Sequence, residues 1–188
     1  PMSILGVLIV LVVIAFGVIA WLVGIYNGLV RLRNEVKNAW AQVDVQLKRR
    51  YDLIPNLIET VKGYAKHERE TFEKITQARS AAMSAQGVAE QAKAETQLNQ
   101  ALGGLRLVVE AYPDLKANTN FLALQEELAS TENKIGFARQ FYNDQVLQLN
   151  NKVQMFPSNI VAGMFGFTLE EFFELEEPEA REAPKVQF

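Results

Sequence analysis

From Ile4 to Ile25 the chain reads ILGVLIVLVVIAFGVIAWLVGI, without a charge or an amide side chain. At about 1.5 Å of rise per residue the run spans roughly 33 Å, enough to cross a hydrocarbon core of about 30 Å. A segment in lipid has to satisfy its own backbone groups, so the pattern predicts a transmembrane helix within residues 1–26. The rival is a cleaved signal peptide, with a basic leading region, an apolar core of about 7–15 residues and a small-residue cleavage site. Pro1-Met2-Ser3 carries no Lys or Arg, the apolar run is longer, and Ala15-Phe16-Gly17 matches a cleavage site poorly. The anchor is the better reading. Trp21 and Tyr26 stand near its far end, where amphipathic rings settle at the headgroup level.

Beyond Tyr26 the pattern changes to amphipathic. Leu29, Leu32, Val36, Trp40 (or Ala39), Val43, Leu47, Tyr51 and Ile54 recur at steps of three and four, one face of a helix. Only Gly24 and Gly28 offer a bend between this helix and the anchor. Asp52-Leu53-Ile54-Pro55 is the first interruption. Proline lacks the N–H donor and crowds the preceding turn, so a kink or a turn into a second helix is expected there, with Asp52 as its N-cap. The second stripe is Leu57, Val61, Tyr64 (or Ala65), Phe72, Ile75, Ala78 and Ala82, broken by the polar His67-Glu68-Arg69-Glu70.

Ala81–Glu95, rich in Ala, Ser, Gln and Glu, reads as a helix end, a link and a new start. A third helix carries Leu98, Ala101, Leu102, Leu105, Val108, Val109 and Tyr112. Gly103-Gly104 inside it costs about 1 kcal/mol per glycine relative to alanine, and marks either a close helix approach or a weak point. Tyr112-Pro113 ends that helix, and Asn118-Thr119-Asn120 supplies a loop and cap. The fourth helix has the cleanest period: Phe121, Leu124, Leu128, Thr131, Ile135, Ala138, Tyr142, Gln145, Leu149, Val153 (or Lys152) and Phe156, stopping at Pro157. The expected fold is all-α: an N-terminal transmembrane helix, then an antiparallel four-helix bundle of long amphipathic helices over 27–156, then a short helical tail.

The tail, 157–175, predicts a short helix capped by Ser158 and another amphipathic turn over Phe167–Phe173. Met164, Phe165, Phe167, Phe172 and Phe173 are too apolar to leave in water together, so they are expected to dock on the bundle, the membrane interface or another copy. From Glu176 to Phe188 the chain is Glu-, Pro- and Ala-rich and is expected to be disordered.

Composition narrows the function classes. An apolar share of 49% in 188 residues is enough for one modest domain beside the anchor. The chain has no cysteine, which excludes disulfides, thiolate metal sites and cysteine nucleophiles. Up to Phe156 there are 17 Lys and Arg against 15 Asp and Glu; from Pro157 there are 2 against 7. An interspersed, near-neutral body is no nucleic-acid footprint, and no nucleic-acid partner is expected. Arg31, Arg33, Lys37 and then Lys48-Arg49-Arg50 follow the apolar run. The positive-inside rule therefore predicts a single-pass protein of the cell (inner) membrane, its N-terminus outside and its bundle in the cytoplasm.

Candidate chemistry is sparse. His67-Glu68 begins like a zinc-binding HExxH helix, but Thr71 stands where the second histidine belongs, and the chain has no other histidine. Tyr64 occupies the place of the glutamate that a bundle di-metal site needs three residues before its histidine. No glycine-rich phosphate loop occurs. No catalytic, cofactor or metal residue is expected. The polar positions beside the helix faces are Asn34, Trp40, Asp44, Arg50, Asn56, Glu132, Arg139 and Asn143. A buried Arg139 paired with Glu132 or Asp44 would fix the packing, with a ligand pocket as the functional alternative. Lys48-Arg49-Arg50 lies about 23 residues beyond the anchor, some 35 Å along a straight helix and well past a Debye length of about 8 Å. A solvated face, or pairing with acids on another chain, is favoured over lipid phosphates. The packing or interaction candidates are thus Trp40, Asp44, Arg50, Glu132, Arg139, Phe165, Phe167, Phe172 and Phe173.

Several segments together resemble one known family. They are Tyr26–Asn34 (YNGLVRLRN), Asn38–Leu57 (NAWAQVDVQLKRRYDLIPNL), Glu110–Lys116 (EAYPDLK), Thr131–Ile135 (TENKI), Ala138–Asn143 (ARQFYN) and Phe156-Pro157. The chain is similar to the LemA family from the anchor to about Phe173, with the tail as the part such proteins share least. The resemblance implies an N-terminal membrane helix and a four-helix bundle, and no established biochemical activity. With a long amphipathic rod, a Phe- and Met-rich tail and no catalytic constellation, the expected role is a non-enzymatic homo-oligomer or a scaffold for other membrane proteins in the lipid bilayer. The alternative is an adaptor or sensor that binds a different partner through the bundle and acidic tail.

Overall fold

The computed structural model of the protein describes residues 4–175. The acidic end expected to be disordered lies outside the described residues. The described chain is helical: α1 (Ile4–Lys62), α2 (Arg69–Ser84), α3 (Val88–Ala111), α4 (Pro113–Lys116), α5 (Thr119–Gln154) and α6 (Ser158–Met164). It divides into two compact units, Pro1–Ala39 with Tyr142–Glu170, and Trp40–Phe141 with Glu171–Phe188. The single bundle expected over 27–156 is therefore shared between two units, and both α1 and α5 contribute to each.

In the first unit the apolar start of α1 is long and apolar enough to cross a membrane, and its most apolar window is wholly unburied. Gly24 and Gly28 do not break the helix, which continues without interruption into the amphipathic stripe. Leu29, Val36 and Ala39 of α1, Tyr142, Val146 and Leu149 of α5, and Val161 and Ala162 of α6 are buried.

At the α5–α6 corner Ser158 does not cap α6, as the sequence suggests. Pro157 takes the cap position. The Ser158 hydroxyl instead turns back and donates to the carbonyls of Lys152 (2.6 Å) and Met155 (2.9 Å). Those carbonyls belong to the end of α5, where helical donors run out. α6 closes with Gly166 at φ +70° and the Phe167 N–H bonded to the Ala162 carbonyl at 2.9 Å, a Schellman ending.

The predicted second amphipathic turn over Phe167–Phe173 is absent, and these residues are non-helical. Two causes are visible. The left-handed Gly166 stops the helix. Asn150 then takes both backbone groups of Glu170, donating to its carbonyl and accepting from its N–H, each at 2.9 Å.

In the second unit α1 runs unbroken through Pro55 to Lys62, so the kink or turn expected at Asp52–Pro55 does not form. The carbonyl that loses its helical donor is that of Tyr51, four residues back, and the Arg79 Nε–H of α2 donates to it at 2.7 Å. The real break falls at 63–68, in the polar gap around His67, where Tyr64 and Ala65 bond back to the Val61 carbonyl. The link between α2 and α3 is only 85–87, with Gly87 at φ +84°. The Asn118 side chain accepts from the Phe121 N–H at 2.9 Å and caps the start of α5, as the sequence suggests.

The core of this unit is Val43, Leu47, Ile54 and Val61 of α1, Phe72 and Ile75 of α2, Leu98, Leu105 and Val109 of α3, Leu115 of α4, Phe121 and Ile135 of α5, and Phe173. Thr131, a polar step in the α5 stripe, is buried with its hydroxyl bonded to the Glu127 carbonyl of its own helix. A Cβ at Gly104 would meet Thr71 of α2 at an ordinary 3.7 Å, and one at Gly103 would meet nothing, so neither glycine is forced by a close approach.

Candidate functional site

The second unit holds a buried polar cluster built from one turn of α1 and a ladder on α3. Arg50 follows Leu47 by three residues and so shares the inward face of α1. Gln91, Glu95 and Asn99 succeed one another at steps of four and form one stripe along α3. Arg50 and Glu95 are 4% and 1% exposed.

The Arg50 Nη1 donates to Glu95 Oε2 at 2.8 Å, while its Nη2 donates to the Asn99 side-chain oxygen and lies 3.5 Å from Glu132 of α5. The Tyr51 hydroxyl donates to Glu95 Oε1. It accepts in turn from Gln91 Nε2 at 2.7 Å, and that nitrogen also reaches the Ala82 carbonyl of α2 at 3.1 Å. Four helices are thus joined through the two ion pairs of Arg50 and the hydrogen bonds around them. Burial, and then the carboxylate of Glu95, push the Tyr51 phenol far above its ordinary value.

Beside this cluster an open cavity of about 420 Å³ is lined by Arg50, Asn99, Arg106, Glu132 and Arg139. Gly103 and Gly136 also line it, and a Cβ at either would meet no neighbour. Three guanidinium groups face one carboxylate, so the wall offers hydrogen-bond donors and net positive charge, the chemistry of anion binding.

The sequence candidates sort as follows. Arg50, Glu132 and Arg139 meet at this cavity. Arg139 forms no ion pair among the described residues; the buried, paired arginine is Arg50, which Glu95 holds at 2.8 Å and Glu132 at 3.5 Å, while Asp44 pairs elsewhere. Asp44 sits at the surface and pairs with Lys48 at 2.7 Å. Arg49 pairs with Glu127 at 2.9 Å, so each member of the Lys48-Arg49-Arg50 triplet meets an acid of its own chain. Trp40 packs edge-on against the buried Phe173, centroids 5.4 Å apart, and Phe172 is 39% exposed. In the first unit Phe165 and Phe167 lie 4.7 and 5.9 Å from Tyr26, and Arg33 covers the Phe167 ring at 4.9 Å.

Glu95, Gln91 and Asn99 are the residues that sequence reasoning missed. The signal was present: the Leu98 stripe carried back three and seven positions lands on Glu95 and Gln91.

The second unit also carries an uncovered apolar groove of about 500 Å³ between α1 and α5. Val45, Phe137 and Phe141 line it and are 60, 74 and 43% exposed.

These features define a class: an all-helical protein with one N-terminal helix long and apolar enough to cross a membrane, and a body tied together by a buried arginine–glutamate pair. The LemA family model matches residues 39–188. The chain belongs to the LemA family. It is 34% identical over 142 residues to Protein LemA of Metamycoplasma hominis, a match covering 74% of this chain and 64% of that protein's length. It is 26% identical over 200 residues to the magnetosome proteins MamQ 2 and MamQ 1 of Paramagnetospirillum magneticum, covering 93% of this chain and 73% of theirs.

Proposed function

We propose that the chain is a single-pass membrane protein whose body associates with further copies of itself, an assembly element rather than a catalyst. Ile4–Ile25 is its anchor. The basic residues that follow the anchor support an N-terminus outside and a body in the cytoplasm. The observation that carries the reading is the groove of Val45, Phe137 and Phe141, where three large apolar side chains stand in solvent on two adjoining helices. A contiguous apolar patch of this kind marks an interaction surface. Anchoring confines copies to one plane and raises their effective concentration, so a modest face suffices.

The test uses the absence of native cysteine. A Phe137→Cys full-length protein, treated with a short bis-maleimide in native membranes, is expected to give a discrete cross-linked dimer or larger ladder of itself. Adding Val45→Ser and Phe141→Ser is expected to abolish it. Monomers throughout, with a monomer mass in nanodiscs, would overturn self-association. Cross-links solely to a different protein would turn the same groove over to the adaptor reading.

A further inference from the structure

We infer that the α5–α6 corner is a second membrane contact, in which Met155, Phe156, Ile160, Met164 and Phe165 lie in the interfacial layer of the bilayer that Ile4–Ile25 crosses. The inference rests on the reading of that segment as an anchor, and adds a site that the anchor alone does not require.

Four observations converge on it, all within the first unit. The first is exposure. Phe156 is 79% exposed, Met164 68% and Met155 62%, with Phe165 and Ile160 more than half exposed. α6 has two faces: Val161 and Ala162 are buried, while Ile160 and Met164, four residues apart, share the open side.

The second is level. The Phe165 ring lies 4.7 Å from that of Tyr26, the residue directly after the apolar run, so α6 sits where the span meets the headgroups. The exposed face is thereby continuous with the surface that lipid already covers on α1.

The third is charge. No charged residue occurs from Val153 to Leu169, and the nearest before it is Lys152, whose sign suits anionic headgroups.

The fourth is the backbone. Polar groups entering a low-polarity layer have to be satisfied from within. At this corner the Ser158 hydroxyl bonds the Lys152 and Met155 carbonyls, the Met155 N–H bonds Asn151, the Asn159 N–H bonds Met155 and the Ile160 N–H bonds Pro157.

The occupant is lipid rather than a second copy because the patch adjoins the span and lacks charge. Single cysteines are placed at Ile14, Phe156, Ile160, Met164 and the exposed Lys93 in the full chain, labelled with bimane and reconstituted in nanodiscs of phosphatidylcholine and phosphatidylglycerol. Doxyl-labelled lipid and aqueous iodide serve as quenchers. Labels at 156, 160 and 164 are expected to lose fluorescence to shallow doxyl lipid and resist iodide, as the label at 14 does to deep doxyl lipid, while the label at 93 responds to iodide only. Lipid quenching at 14 with iodide quenching at 156, 160 and 164 would overturn the second contact and leave the anchor standing. Protection of those three from both quenchers would also overturn it, as cover by protein. Iodide quenching at 14 would remove the anchor and the inference with it.

Discussion

Arg79 donates its Nε–H to the backbone carbonyl of Tyr51 at 2.7 Å, and that carbonyl is the one Pro55 leaves without a helical donor. The proline that should stop α1 is thereby compensated from α2, and α1 keeps its stripe in register to Val61. A hydrogen bond from a charged donor contributes about 1.5–3 kcal/mol, and Arg79→Ala is expected to cost that much stability. In a Pro55→Ala background the helix supplies its own donor, so the same substitution is expected to cost less. Urea unfolding of the four proteins of this cycle in mild detergent measures the difference. Equal costs in both backgrounds would show that Arg79 acts through something other than the Tyr51 carbonyl.

Removing either side of the buried Arg50–Glu95 pair leaves the other charge without its buried counter-ion. Arg50→Ala and Glu95→Ala are each expected to cost about 3–5 kcal/mol, because desolvation of the survivor goes uncompensated. Replacing both by Met, which fills the space without charge, is expected to cost less than either single change. Thermal unfolding of the three variants tests the order; a double variant worse than both singles would assign the pair a role beyond its own charge balance.

What the sequence reveals and hides divides along physical lines. The apolar run and the α5 period from Phe121 to Val153 depend on local spacing alone and are legible; Phe156, the last step of that expected stripe, falls beyond the helix and is exposed. Pro55 was misread because its local rule is sound, while its remedy lies on another helix. The helix end, link and new start expected over Ala81–Glu95 are found, with the link at 85–87, but Glu95 was hidden because the apolar stripe of the third helix becomes evident only from Leu98 onward. Arg50 and Glu132 could be named as seam residues, yet which arginine is buried depends on the facing helix, and nothing in the sequence orders those faces. In the tail, Phe residues that had to be covered were evident. The fate of each was not, because it follows from the left-handed turn at Gly166 and from Asn150 holding Glu170.

Tyr51 gives the body an alkaline limit. Its folded phenol is raised above the ordinary 10.0, by burial first and then by Glu95. The neutral form therefore contributes stability that is fully present below the unfolded value and is lost as pH rises above it. Unfolding free energy is expected to fall between about pH 9 and pH 11 more steeply in the natural protein than in Tyr51→Phe, whose ring cannot ionise. Parallel slopes for the two proteins would mean that Tyr51 does not titrate in the unfolding transition.

Phe172 and Phe173 are neighbours in sequence with opposite roles. Phe173 is fully buried and meets the Trp40 ring edge-on at 5.4 Å, whereas Phe172 is 39% exposed. Truncating a buried phenylalanine costs about 3–5 kcal/mol, and an edge-to-face aromatic pair adds about 0.5–1.5 kcal/mol beyond the area it buries. Phe173→Ala is thus expected to destabilise the second unit and to shift the emission of Trp40 to longer wavelength as water reaches the indole. The measurement is made with Trp21→Phe, which leaves Trp40 as the sole indole. Phe172→Ala is expected to leave both stability and emission nearly unchanged. If the two substitutions moved the Trp40 spectrum equally, the indole would be reporting general loosening of the tail instead of its own contact with Phe173.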